Sequence, residues 1–270
     1  HLFSNPYVVY QNNQKEYTVH SDVCPHQGAS LSEGKVTKNC RLQCPYHGFE
    51  FENGQFCRIP DPSNPTLKSF QSKIQIPRLE TKKMKDFLFV RFDNDTKQDI
   101  FYPPEENDSN FKSVEGTVKV NTNYLSVCEN LLDMLHISYV HSFGSVETPL
   151  PHHLDFTWCG PYHGKSTFLY SPNKETISNK VGKVNMVKVE NEFVLPTNTI
   201  TRVFAGDTIK TVFTRTIPIS DTESILYWKI YRNFWKFPLG DFLIDYLMKK
   251  TIQEDVWILK RLYTNKREDL

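Results

Sequence analysis

Residues 24–48 read CPHQGASLSEGKVTKNCRLQCPYHG, and this stretch decides the fold of the first half of the chain. Cys24 and His26 are separated by one residue and Cys44 and His47 by two, with seventeen residues between His26 and Cys44. Two Cys and two His also make a zinc set, so the spacing has to decide. Zinc fingers pair like ligands in sequence, Cys with Cys and then His with His. Here each half supplies one thiolate and one imidazole, and each half ends in glycine, Gly28 or Gly48. That suits two loops folded over a two-iron cluster, with both thiolates on one iron and both imidazoles on the other. A zinc knuckle, or four unrelated core residues, are the alternatives.

The C-x-H…C-x-x-H-G pattern resembles the Rieske [2Fe–2S] family. Respiratory members carry an extra Cys after each ligand loop. Here those places read Gly28-Ala29 and Gly48-Phe49, so that disulfide is not expected. The wider run, SLSEGKV, RLQCPYHGFEF and GQFCRIP, is similar to the Rieske oxygenase branch. Phe49 stands where many of those enzymes carry Trp, which keeps an aromatic lid. Family members usually have a further stretch before His1, so additional sheet is expected there.

At 270 residues the chain is long enough for two modest domains. A net charge of +1 offers no field to steer a nucleic acid, and none is expected as a partner. No apolar run approaches the ~18 residues that a spanning helix needs. Cys40, Cys57, Cys128 and Cys159 are too scattered for a disulfide framework, which points to a reducing compartment, cytoplasm or an organelle stroma.

Taken in order, residues 1–100 read as a small antiparallel β domain, with PYVVYQ and KEYTVHS as a hairpin and a second hairpin turning at Asn53-Gly54. The proline-containing segment from Pro60 reads as a loop, and 101–113 as a linker. Residues 114–270 form a second domain. Within it NYLSVCENLLDMLHISYVH has helical period and puts Glu129, Asp133 and His136 on one face. From 165 to 235 strand-like runs alternate with turns, a bent sheet of about five or more strands. His152, His153 and His163 fall in what reads as a Pro/Gly-rich loop, and 239–264 as one long helix.

His136 and His141 are five apart, roughly 140° from each other on a regular helix. They can share a metal only if the helix widens by a π-bulge or ends near Tyr139. On the last helix Ile244, Met248, Ile252, Asp255, Leu259 and Leu262 form one stripe, with Asp255 in the middle of its apolar face. A buried carboxylate needs a partner, and a bound Fe(II) or a core Lys or Arg would serve. Glu254 is expected to point instead toward Lys250 and Ile258.

Glu129-Asn130-Asp133-His136-His141, in the spacing E-N-x-x-D-x-x-H-x-x-x-x-H, resembles the mononuclear-iron motif of Rieske non-haem iron oxygenases. The likeness implies an α+β chain, a Rieske antiparallel β domain followed by a helix-grip (START-like) catalytic domain. Its expected cofactors are a [2Fe–2S] cluster on Cys24, His26, Cys44 and His47, and Fe(II) on His136, His141 and Asp255, with O2 as co-substrate. Asn130 and Asp133 are the expected catalytic residues, Asp133 joining His136 to a cluster His of the neighbouring chain in a homotrimer. Electrons are expected from a separate NAD(P)H-dependent reductase or ferredoxin. The branch is the single-subunit monooxygenase and demethylase one, with a pheophorbide-oxygenase-like cluster loop, acting on a small, aromatic or hydrophobic organic substrate. The alternative is an electron carrier fused to a non-catalytic hydrophobic ligand-binding domain. Iron content separates them, about two irons per chain against about three.

Overall fold

The structure, a computed structural model, describes residues 1–60, 63, 74–92, 98–171, 173 and 186–264. The chain divides into two compact units, His1–Asp99 and Ile100–Leu270.

The first unit is built from eight short strands in two antiparallel sheets. Strands β1 (Tyr7–Gln11), β2 (Tyr17–Ser21), β7 (Arg78–Met84) and β8 (Phe87–Arg91) make one sheet, in that order. The other is β3 (Lys35–Val36), β4 (Leu42–Gln43), β5 (Glu50–Glu52) and β6 (Gln55–Arg58). Asn53 and Gly54 turn the β5–β6 hairpin with φ of 50° and 84°. Positive φ at both central residues is what the tight hairpin turn requires. At Gly54 a Cβ would also meet the His20 ring at 2.7 Å, so only glycine fits. Apart from Pro60 and Ser63, the proline-containing loop up to Phe70 lies outside the described residues. The core of this unit gathers Leu31, Leu42, Phe49, Phe51 and Ile76 around Cys24 and Cys44.

The second unit overturns the helix-grip (START-like) expectation. It is a large seven-stranded antiparallel sheet, not a predominantly helical fold. Its order is β10 (His152–Gly160), β11 (His163–Tyr170), β12 (Val187–Val194), β13 (Asn198–Ala205), β14 (Thr208–Ser220), β15 (Glu223–Arg232) and β9 (Lys112–Val120). Among the described residues, α-helix is confined to α1 (Tyr124–Leu132), α2 (Ile137–Val140) and α3 (Pro238–Thr264). The reason lies in the period. Strand β15 buries every second residue, Ser224, Leu226, Trp228 and Ile230, and so reads as a strand lying on a core. Trp228 faces Gly116 across the β15–β9 ladder, where a Cβ would come within 2.5 Å of its ring.

Strand β10 corrects the loop expectation: Leu154, Phe156 and Trp158 alternate with Asp155 and Thr157 as in a strand, between the flanking Pro and Gly residues that suggest a loop, and its residues His152 to Cys159 are exposed at the sheet edge. Helix α3 packs Ile244, Met248, Ile252 and Leu259 against Leu226, Trp228 and Ile230. The expected stripe thus holds as far as Leu259 and ends there, since Leu262 is exposed. No helix among the described residues is long and apolar enough to cross a membrane.

Candidate metal centres

The two cluster loops of the first unit share one backbone frame. Cys24 N–H donates to Ala29 O (2.8 Å) and Gly28 N–H to Cys24 O (2.8 Å). In the second loop Cys44 N–H donates to Phe49 O (2.8 Å) and Gly48 N–H to Cys44 O (3.1 Å). Each loop is a turn closed by glycine in the left-handed region, with φ of 76° at Gly28 and 71° at Gly48. Both cysteines are buried, and the rings of His26 and His47 meet edge to face with centroids 4.9 Å apart. Phe49, itself buried, stacks on His26 at 4.5 Å, and so keeps the aromatic lid.

Burial pushes the Cys24 thiol up, the backbone N–H groups of His26 and Gln27 pull it down, and the adjacent Cys44 pushes it up again. Burial alone would keep these two sulfurs as thiols, so the peptide donors and an iron to neutralise the charge are what would hold them as thiolates. All six cysteines are free of disulfides. The donors present fit a [2Fe–2S] group held by two Cys and two His.

The second unit holds the other cluster of donors. Helix α1 opens on Asn123, whose side chain accepts from Ser126 N–H at 2.8 Å. It stops at Leu132, and Asp133 turns extended with ψ of 129°. The expected single helix through His141 is therefore two, with no π-bulge. The Asp133 carboxylate accepts from the backbone N–H of Leu135 (2.9 Å) and His136 (3.3 Å) and so holds the turn that leads into the second piece. His136 stands at the start of α2 and His141 at its end, where the backbone turns extended. Terminating the helix on both sides brings together two rings that a continuous helix would hold apart.

The three donors meet closely. His136 Nε2 and His141 Nε2 lie 3.2 Å apart, and each is 3.3 Å from Asp255 Oδ1. Ligands at about 2.1 Å from one ion take such spacings. Second partners fix the rings. His136 Nδ1 lies 3.0 Å from the Asp133 carbonyl oxygen and His141 Nδ1 2.9 Å from Glu254 Oε2. Both partners can only accept, so in the neutral rings each Nδ1 carries the hydrogen and each Nε2 presents a lone pair. Two lone pairs and a carboxylate oxygen therefore converge, and a cation satisfies all three. The donor set is that of a 2-His-1-carboxylate face, which suits Fe(II).

Asn130 Nδ2 donates to Asp255 Oδ1 at 3.0 Å. Burial alone would raise the Asp255 carboxyl, but without a metal His136 and His141, carrying a proton on Nε2, and Asn130 outweigh it and hold the pKa at about 2. Burial would lower His141, and Asp255 and Glu254 reverse this and raise it. Phe143 stacks on the His141 ring at 5.0 Å and 11°. Asp133 belongs to the site through its backbone oxygen, while its half-exposed carboxylate lies 3.7 Å from His136 Nδ1. His163 stands apart from the triad, bonded to Glu192 at 2.8 Å. Reading by residue stripe missed Glu254, because the ring it meets comes from another helix. It also missed Phe143, for which the sequence carries no periodic signal.

The Rieske [2Fe-2S] domain family matches residues 1–71. Protochlorophyllide-dependent translocon component 52 of Arabidopsis thaliana is 30% identical over 153 residues, covering 53% of this chain and 27% of its own length. The oxygenase component of dicamba O-demethylase from Stenotrophomonas maltophilia is 30% identical over 144 residues, 52% of this chain and 41% of that protein. Among solved structures, Pseudomonas putida CBB5 NdmA with caffeine has a TM-score of 0.75 at 20% identity, over 96% of this chain and 74% of the other. Dicamba monooxygenase bound to 3,6-dichlorosalicylic acid has 0.73 at 18%, over 97% and 81%. At these identities the structural likeness carries the fold.

Residues 1–71 carry the Rieske [2Fe-2S] domain, and a His-His-Asp face stands in the next unit, so the chain holds the two donor sets of a Rieske-type non-haem iron oxygenase. It is similar in sequence to pheophorbide a oxygenase, the oxygenase component of dicamba O-demethylase and flavonoid 8-hydroxylase 2. It spans less than half the length of these curated relatives, between 26% and 41%.

Proposed function

We propose that the chain is the electron-accepting and oxygen-activating part of a terminal oxygenase, acting on a small aromatic or hydrophobic organic molecule by hydroxylation or oxidative demethylation. The observation that supports this most directly is the triangle of His136 Nε2, His141 Nε2 and Asp255 Oδ1 in a chain that also carries the cluster loops. Cys24, His26, Cys44 and His47 would hold the cluster, and His136, His141 and Asp255 the mononuclear iron. When bound, the iron supplies the redox chemistry that activates O2.

The chain's own residues hold the site ready. Asn130 steadies the Asp255 carboxylate, Glu254 and the Asp133 carbonyl orient the two rings, and Phe143 covers one face of His141. In this reading residues 1–100 form the cluster domain, 101–113 the linker and 114–270 the catalytic domain. A separate NAD(P)H-dependent reductase or ferredoxin supplies electrons, and Asp133 passes them from the cluster of a neighbouring chain in a homotrimer. The compartment is one that keeps thiols reduced, cytoplasm or an organelle stroma, a reading that rests on the scatter of Cys40, Cys57, Cys128 and Cys159 along the sequence.

Metal analysis tests the reading. About three irons per chain are expected, with a reduced-state paramagnetic signature of a His-ligated [2Fe–2S] centre at a potential above that of all-Cys plant-type clusters. A colourless protein holding one zinc per chain refutes it.

A further inference from the structure

We propose that Glu254 is a positioning residue for the iron site, holding His141 by its far nitrogen and setting that ring's strength as a ligand. The inference rests on the triad being an iron site, and it goes beyond it by giving unequal roles to the two histidines.

Successive residues on a helix point about 100° apart, so Glu254 and Asp255 cannot share one line along α3. His141 makes use of both. Its ring lies against the helix with Nε2 3.3 Å from Asp255 Oδ1 and Nδ1 2.9 Å from Glu254 Oε2. Two carboxylates from consecutive residues therefore grip opposite nitrogens of one imidazole. Phe143 stacks on the ring at 11° and blocks its rotation. The His141 side chain is almost wholly enclosed, at 3% exposure, against 24% for Glu254.

His136 is held differently. Its Nδ1 meets the neutral carbonyl oxygen of Asp133 at 3.0 Å, while the nearest Asp133 carboxylate oxygen is at 3.7 Å. A ring that donates to a carboxylate is both oriented and made more basic, and a carbonyl partner does this more weakly. His141 is thus the stronger donor of the pair, and Glu254 is the cause. Among the described residues the Glu254 carboxylate has no ion-pair partner besides His141. Among the described residues that charge therefore bears on this one ring.

The test is anaerobic titration of Fe(II) into protein with its cluster loaded and its mononuclear site emptied, on wild type, Glu254→Gln, Glu254→Asp and Glu254→Ala. The readouts are Fe(II) affinity, the ligand-field spectrum of Co(II) in the same site, and thermal unfolding of the metal-free protein. Glu254→Ala is expected to lose about 10–100-fold in Fe(II) affinity and to shift the Co(II) spectrum. Glu254→Asp, one methylene short of the ring, should follow it. Glu254→Gln keeps an accepting oxygen without the charge and should fall between wild type and Ala. Cluster absorbance should be unchanged throughout. Wild-type affinity in Glu254→Ala overturns the proposal. So does an affinity loss with an unaltered Co(II) spectrum and an equally large loss of metal-free stability, which would make Glu254 a tether between helices. Failure of the iron reading itself looks different, since wild type would then take up no Fe(II) beyond its cluster.

Discussion

Asp255 offers the sharpest perturbation of the site. It lies on the inner face of α3, its side chain 9% exposed, with one oxygen shared by His136, His141 and Asn130. Its pKa of about 2 against the ordinary 3.8 means that these neighbours favour the charged form by roughly 2 kcal/mol. The sign follows: the lowered folded pKa gives stability that is fully present above about 3.8 and is lost as pH falls toward 2. Asp255→Ala gives up that term and also a charged ligand. Outer partners of metal ligands are worth about 10–100-fold in affinity. A ligand should exceed that range, so at least ~100-fold, or about 3 kcal/mol, is expected. Asp255→Asn keeps the shape and an oxygen for Asn130, yet should fall nearly as far, because charge holds the cation. The assay is competition for Fe(II) against a ferrous chelator, with the visible spectrum of the cluster followed in the same cuvette. The cluster spectrum should stay intact, since its ligands belong to the other unit. Wild-type iron affinity in either variant, or a bleached cluster, refutes the reasoning.

Asp133→Asn retains a carbonyl oxygen for the Leu135 N–H and should keep both metals, while slowing cluster-to-iron electron transfer by orders of magnitude in single-turnover experiments with substrate bound. Wild-type turnover, or a fully active monomer, ends the inter-chain route. Asp133→Ala removes both bonds that hold the turn before α2 and should cost about 1 kcal/mol in stability, read by denaturant titration. The third expectation concerns acid. Burial would raise the Glu105 carboxyl, but Arg202, bonded at 2.5 Å, and Thr211 at 2.8 Å hold it down. The stability it gives is present above the ordinary Glu pKa and is lost as pH falls through its lower folded value. Glu105→Gln should therefore flatten the acid side of the thermal-stability profile. Its cost at neutral pH should fall short of the ~3–5 kcal/mol for a stranded buried charge, because Glu192 still pairs Arg202. An unchanged acid limb would show that Glu105 is not the group responsible.

The sequence was most legible where the chemistry is local. Cys24, His26, Cys44 and His47 lie in two short turns, so their spacing alone carries the geometry. Asp255 was legible for another reason. An acidic residue in a periodic apolar stripe is conspicuous, and the stripe does face the sheet. What failed depends on contacts between distant residues. No Gly or Pro marks the break at Asp133, which is made by a carboxylate folding back on two peptide N–H groups. Glu254 was expected to point at Lys250 and Ile258, since a single-helix projection cannot show a ring arriving from α2. Strand β10 carries an alternation of Leu154, Phe156 and Trp158 with Asp155 and Thr157, but the Pro and Gly residues around it outweigh that signal in a reading by composition. The helix-grip expectation failed with them, because the sheet at 7 strands, rather than helix, dominates the unit.

Helix α3 mixes Met248, Ile252 and Leu259, which pack on the sheet, with Glu254 and Asp255, which meet the two histidines. Structural and chemical duties are interleaved on one rigid rod, and neither can be tuned alone. A methylene added at Ile252 would lift the rod and carry both carboxylates with it. Heritable variation on this face is therefore screened by turnover before it is screened by folding. An engineer seeking a hardier protein should leave α3 alone and work on the exposed edge strand β10, which among the described residues makes no bond to His136, His141, Glu254 or Asp255.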